Sequence, residues 1–239
     1  MLREEKIKDG NFGDEKSFHS FALQFVRMEP KERILIKAHE LFMQYGIRSV
    51  SMDDIANNLG MSKKTLYQYY ADKDELVDAV VDTHINEIQT DCGNCRDTAS
   101  DAVHEIFLTM EMIMEEFANM NPMILHDLEK FHFRSYQRFK DHKDKFLAQV
   151  IRDNIEWGIQ EELYRPDLNV GVLCKFRIES MMIPFNVSVF PPGKYNLGEL
   201  TGIIIEHFVY GLATIKGHKL IQKYNDQRQK KMSYDETKK

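Results

Sequence analysis

The sequence predicts an all-α protein, with an amino-terminal three-helix domain containing a helix-turn-helix and a larger helical domain behind it. Three observations carry that prediction. Beyond Leu76, apolar residues recur at spacings of three and four to about Lys223, as in helices with one buried face. Only 6 prolines interrupt the 239 residues. Between Ser51 and Leu76, capping residues and a turn glycine fall where two short helices must meet.

In chain order, Phe18, Phe21, Ala22, Phe25 and Val26 lie at helical spacing. Residues 1–27 therefore read either as a short accessory helix or, the reading taken here, as an extension upstream of a natural start at Met28. Lys31 to Tyr45 forms the first helix, with Ile34, Ala38, Leu41, Phe42 and Tyr45 on one face and Gly46 ending it. Ser51 caps the next helix, with Asp54 in the capping-box position, and Met52, Ile55, Ala56 and Leu59 form its buried stripe. Gly60 supplies a turn with positive φ, Met61 packs back, and Ser62 caps the third helix. There Leu66 and Tyr70 point inward, which leaves Lys63, Lys64, Thr65, Tyr67, Gln68 and Tyr69 over the remaining surface. Such a set suits a duplex: lysine and tyrosine for phosphate oxygens, glutamine for an adenine edge, threonine for a phosphate or a thymine methyl.

The run Ile55-Ala56, Leu59-Gly60-Met61-Ser62, Thr65-Leu66-Tyr67, Tyr69-Tyr70 and Lys73-Asp74-Glu75-Leu76 resembles the DNA-binding signature of TetR-family transcriptional regulators. The resemblance extends over roughly Glu29 to Val81, and its departures are small. Tyr70 stands where phenylalanine is commoner, and Leu59 where alanine often sits. It implies base or phosphate contacts for Lys63, Lys64, Thr65, Tyr67, Gln68 and Tyr69, with Ser62 at the helix start in the same set, and phosphate contacts for Ser51 and Lys73. Lys73 precedes Asp74, read as the cap of the next helix, whose amino-terminal end favours a phosphate. The DNA-binding domain is thus expected over 28–75.

The net charge of −6, from 38 acidic and 32 basic residues, does not by itself suggest nucleic-acid binding. Its placement does. From Ser62 to Lys73 the charged residues are Lys63, Lys64 and Lys73 against Asp72. No stretch approaches the roughly 18 apolar residues of a membrane span, no secretion signal is visible, and three cysteines suit a reducing compartment. The expected location is the cytoplasm, with no membrane partner.

A helical effector-binding and dimerisation domain is expected over 76–224. Leu76, Val77, Val80, Val81, Ile85 and Ile88 form the stripe of a connecting helix, read as the lever between domains and as ending at Cys92-Gly93-Asn94-Cys95. Val103 to Phe117 follows, then a short helix from Asn121-Pro122, a long one from about Phe131 to Gln160, and a turn at Tyr164-Arg165-Pro166-Asp167. The last two helices read as Asn169 to Val189 and Leu197 to Tyr224, before a frayed polar tail at 225–239.

The resemblance implies that the last two helices dimerise, with Leu200, Ile204, Phe208, Gly211 and Ile215 on the contact face. Paired reading helices about 34 Å apart give specificity on a palindromic double-stranded operator. Methionine and aromatic residues crowd the middle helices, and Phe107, Met110, Met114, Phe117, Phe133, Tyr136, Trp157, Met181 and Phe185 are the expected lining of a site for a small hydrophobic or amphipathic effector. Cys92 and Cys95 form a C-x-x-C flanked by His84 and His104, but no second ligand pair completes a zinc site. No metal, cofactor or catalytic residue is expected. The reading is a ligand-released repressor; the alternatives are an architectural or partner-regulated DNA-binding protein, and a thiol or metal sensor using Cys92 and Cys95.

Overall fold

The computed structural model describes residues 28–236, with side chains through 230; the expectation for 1–27 lies outside them. Helix α1 (Pro30–Tyr45) starts on a proline, whose missing N–H is no loss in a first turn. It buries Ile34, Ala38, Leu41 and Phe42, whereas Tyr45, expected on the same face, is 51% exposed because it lies at the helix end beyond the packed stripe. Helix α2 (Met52–Leu59) opens on a reciprocal cap. The Asp54 amide donates to Ser51 Oγ at 3.1 Å, and the Ser51 amide donates to Asp54 Oδ2 at 2.8 Å. Gly60 ends it with φ 63° and ψ 28°, a left-handed conformation that glycine adopts without steric cost.

Helix α3 (Lys63–Tyr69) is capped by Ser62, which accepts from the Thr65 amide at 3.0 Å, and it buries Leu66. Tyr70 follows, 2% exposed. The cap of α4 (Lys73–Thr98) is Asp72, not Asp74. Asp72 is extended and accepts from the Glu75 amide at 2.8 Å, while Glu75 accepts from the Ala71 amide at 2.6 Å. That pairing of Asp72 with Glu75 places Lys73 in the first helical turn.

Helix α4 also continues through the expected break at Cys92–Cys95. A helical glycine costs about 1 kcal/mol, and packing offsets it: Cys92 is buried, and Arg96 lies 3.7 Å from the Trp157 ring centre and 2.9 Å from Glu105. The chain turns at Ala99–Ser100 instead, where Asp101 caps α5 (Ala102–Phe117) by accepting from the His104 amide.

Helix α6 (Ile124–Phe131) begins two residues after Pro122, because Asn121 Oδ1 holds the Met123 amide in a turn at 2.9 Å. The long helix expected from Phe131 is interrupted at His132 (φ −132°, ψ 56°). It then runs as α7 (Phe133–Asp141), a π-helical stretch (His142–Leu147) and α8 (Ala148–Gln160). Helix α9 (Val170–Ser180) stops well short of Val189, and Pro184 lies in the short 3-10 turn Ile183–Phe185 that follows.

The final helix is two, α10 (Leu197–Leu212) and α11 (Ile215–Glu236). Their junction is tied to the turn after α8: the Thr214 amide donates to the Leu163 carbonyl at 2.9 Å, its hydroxyl to the Glu162 carbonyl at 2.8 Å, and the Arg165 amide to the Leu212 carbonyl at 2.9 Å. Helix α11 continues into the segment read as a tail. Tyr224 is buried against α5, and Asn225 and Arg228 contact Glu206 at 2.7 and 3.7 Å.

Two apolar cores result. The first joins α1, α2 and α3 to Leu76, Val77 and Val80 of α4 and to Ile124 and Leu128 of α6. The second joins α5 to Ile155, Tyr164, Ile205, Phe208, Val209, Leu212, Ile221 and Tyr224. Gly198 and Gly202 let α10 approach α5: a Cβ on them would lie 2.3 Å from the Met114 carbonyl oxygen and 2.5 Å from its sulfur.

Ser51→Ala removes one half of the α2 cap and is expected to cost about 1 kcal/mol; an unchanged urea midpoint would refute this. The Ser51 hydrogen bonds also hold the Asp54 carboxyl below its ordinary pKa. The stabilisation is therefore present above the unfolded-state pKa and is lost as pH falls through the lowered folded value.

Candidate functional site

Helix α3 presents an outward face formed by Lys63, Lys64, Tyr67 and Gln68. Lys63 Nζ lies 2.8 Å from Asp53 Oδ1 of α2, and the Asp53 hydrogen bond raises its pKa. The same ammonium sits 5.9 Å from the Tyr67 ring centre. Lys64 has no ion pair among the described residues and projects freely beside Tyr67 and Gln68. The other predicted contact residues are less available. Thr65 is half-buried with its hydroxyl 2.7 Å from Ser62 Oγ, and Tyr69 packs against the first core. Ser51 Oγ donates to Asp54 at 2.6 Å. Lys73 is half-buried and donates to the Ile47 carbonyl at 2.6 Å, and burial lowers its pKa.

This face is fixed to the second domain by a joint that the sequence reading missed. Asp127 of α6, 6% exposed, accepts from the Arg48 amide at 2.9 Å. The Asn121 amide donates to the Met43 carbonyl at 2.6 Å. Gly46 lies between them at φ 81°, and a Cβ there would meet Asp127 Oδ2 at 3.3 Å and Asn121 Nδ2 at 3.4 Å. Alongside, Ser135 donates to Asp78 and Arg138 pairs with Asp82 at 2.7 Å, which clamps α7 to α4. Asp127→Ala orphans the Arg48 amide and is expected to cost roughly 1–3 kcal/mol. It should also speed hydrogen exchange at that amide; unchanged exchange there would show that the joint does not constrain the loop.

Inside the second domain lies an apolar cavity of about 230 Å³. Its walls run from Phe42, Met43 and Ile47 of the first domain, past Val77, Val80 and Ile85 of α4, to Ile151, Ile155 and Arg177. Of the nine residues expected to line a ligand site, Phe117, Met181 and Phe185 border this cavity. Six do not. Phe107 and Met110 are buried in the second core, with Phe107 5.6 Å from the Tyr224 ring. Met114 is wedged against Gly198 and Gly202, and Trp157 stacks on Arg96. Phe133 is 67% exposed, and Tyr136 packs against the first core, 6.5 Å from the ring of Phe139.

The polar groups of the wall are mostly satisfied. Asn154 donates to the Ala102 carbonyl at 2.9 Å and to Glu105 at 2.8 Å, and Tyr164 donates to the Ala102 carbonyl and to Asn154 Oδ1, both at 3.2 Å. His84 pairs with Glu116 at 3.1 Å, which raises its pKa despite burial. Burial lowers the pKa of both His39 and His142. His39 Nε2 and His142 Nε2 are buried without a hydrogen-bond partner, and the Arg177 guanidinium has one long hydrogen bond and no ion pair among the described residues; the only sequence signal for Arg177 was a charge between Phe176 and Ile178.

The expected dimer stripe divides in two. Leu200 and Phe208 are buried within the subunit and Ile204 is half-buried, because the phase of α10 turns them onto α5 and α9. Gly211 faces open space, and Ile215 is 81% exposed. The outward apolar residues of this end are Val172, Phe176, Ile203 and Ile215. Cys92 and Cys95 are free thiols one turn apart on α4, and burial pushes the Cys92 thiol up to about 11. Among the described residues, no group of three or more histidine, cysteine, aspartate or glutamate side chains is arranged to hold a metal, and no helix is long and apolar enough to cross a membrane.

Residues 34–80 match the family model described as bacterial regulatory proteins, tetR family. The chain is 34% identical over 132 residues to the uncharacterized HTH-type transcriptional regulator YvaF of Bacillus subtilis, covering 54% of this chain and 62% of that one. It is 24% identical over 149 residues to the HTH-type transcriptional repressor KstR2 of Mycobacterium tuberculosis, covering 60% of this chain and 73% of that one. In fold, it superposes on a TetR-family transcriptional regulator from Marinobacter aquaeolei with a TM-score of 0.62 at 17% identity, covering 82% of this chain and 99% of the other.

Proposed function

Because this chain belongs to the tetR family of bacterial regulatory proteins, we propose that it is a cytoplasmic, homodimeric repressor released from a palindromic operator by a small hydrophobic or amphipathic effector. The DNA contacts centre on Lys64, Tyr67 and Gln68, which are exposed on one face of α3. Lys63 joins them by exchanging Asp53 for a phosphate, and Lys73 adds its charge at the amino terminus of α4. Ser51, Ser62, Thr65 and Tyr69 hold the geometry of the turn, a supporting role consistent with their bonds and burial.

The second copy packs on the outward apolar face of α9 and α10, through Val172, Phe176, Ile203 and the open space beside Gly211. Pairing two copies sets the spacing of the two α3 helices, and a half-site separation of about one DNA turn follows.

One observation carries the ligand-responsive reading. The cavity shares Phe42 and Ile47 with the core of the DNA-binding domain, so an effector there touches the element that must move. Release requires the effector to favour the dimer whose reading helices are misplaced, since equal affinity for both arrangements shifts nothing.

The test is binding of the purified protein to its own upstream intergenic DNA against an unrelated fragment of equal length at near-physiological salt. Preferential binding supports a local repressor. Equal, weak binding to both fragments counts against it.

A further inference from the structure

Resting on the proposed effector site, we infer that the effector is an amphipathic anion whose carboxylate pairs with Arg177 while its hydrocarbon part extends along the cavity towards Phe42 and Ile47. Arg177 is 8% exposed and lines the cavity. Its guanidinium makes one hydrogen bond among the described residues, a 3.4 Å contact to Ser180, and lies 5.9 Å from the Phe208 ring centre. The nearby carboxylates are committed elsewhere. Glu105 pairs with Arg96, Glu116 with His84, and Glu179 with Lys143 at 3.2 Å.

A guanidinium always carries its charge in a protein and presents a planar fork that matches a carboxylate. Held in an apolar wall with no counter-ion among the described residues and 8% exposed, it has lost most of its water, and burial lowers its pKa to about 10. A ligand carboxylate therefore meets a desolvated partner already in place. The rest of the wall is apolar over most of its length, with Val80, Ile85, Ile113 and Ile151 among its residues. A fully charged polar ligand would leave that surface unfilled, and a neutral hydrocarbon would leave Arg177 unpaired.

The test is calorimetric titration of the full-length protein with decanoate and with 1-decanol, repeated on Arg177→Met and Arg177→Lys, with hexanoate to hexadecanoate bracketing chain length. Wild type is expected to prefer the carboxylate by roughly ten- to hundredfold, the worth of one charge-assisted hydrogen bond. In Arg177→Met that preference should collapse while decanol still binds, which also shows the variant to be folded. Arg177→Lys should keep part of it. Equal binding of both probes by wild type, a preference that survives in Arg177→Met, or no binding across the series overturns the assignment. Release of DNA is scored separately. Arg177-dependent binding without release leaves the head-group assignment standing and sinks the release mechanism; release by decanol alone does the reverse.

Discussion

Tyr164→Ala is expected to destabilise the second domain by about 3–5 kcal/mol, the usual cost of deleting a fully buried aromatic side chain. Tyr164 is 0% exposed, and its ring fills the space beside Gly158, where a Cβ would lie 2.1 Å from it. Its hydroxyl also satisfies Asn154, which in turn orients Glu105 and, through it, Arg96. Loss therefore combines a cavity with an unsatisfied buried acceptor. Burial drives the phenol pKa well above its ordinary value, which favours the protonated, donating hydroxyl. Urea unfolding followed by circular dichroism checks the prediction, and a midpoint within error of wild type would refute it. Tyr164→Phe, which keeps the ring, should recover most of the loss.

On DNA, Lys64→Ala and Tyr67→Ala are each expected to weaken operator binding about tenfold or more. A directed contact is worth roughly 1–3 kcal/mol, and a tenfold change is about 1.4 kcal/mol. Both side chains are exposed, with Tyr67 at 41%, so neither change should unfold the dimer. The two should differ with salt: if Lys64 neutralises a phosphate, its loss lowers the slope of log affinity against log salt by about 1, whereas loss of the Tyr67 hydroxyl leaves the slope near wild type. Wild-type affinity in both variants would remove α3 as the reading element.

What could be read from the chain was what is local. Ser51, Gly60 and Ser62 act within a few residues of themselves, so their roles in capping and turning are legible without any knowledge of packing. The cap at Asp72 was missed because Asp74 is as good a capping residue, and only the backbone angle at 72 separates them. Gly93 misled for the opposite reason: its local preference to end a helix is outweighed by Arg96 on Trp157, a contact between residues 61 apart.

Apolar spacing says which residues face inward but not what they meet there. Phe107 and Phe117 belong to the same stripe of α5, yet one is packed against Tyr224 and the other borders the cavity. Along α10, Leu200 and Phe208 satisfy a helical stripe perfectly well, and it belongs to the subunit's own core; the residue left outside is Ile203. The Asp127 joint and Arg177 depend wholly on contacts distant in sequence.

Because Phe42 and Ile47 serve at once as core of the DNA-binding domain and as wall of the cavity, the boundary expected at residue 75 is no seam along which the protein can be recombined. A chimera carrying residues 28–75 on a different body would bring one end of this chamber with it, facing side chains it was never fitted to. The donor body would be left with an open apolar mouth where α1 had closed it. Grafting that keeps both the helix-turn-helix core and the cavity wall intact must move α6 and the first turns of α4 together with α1 to α3.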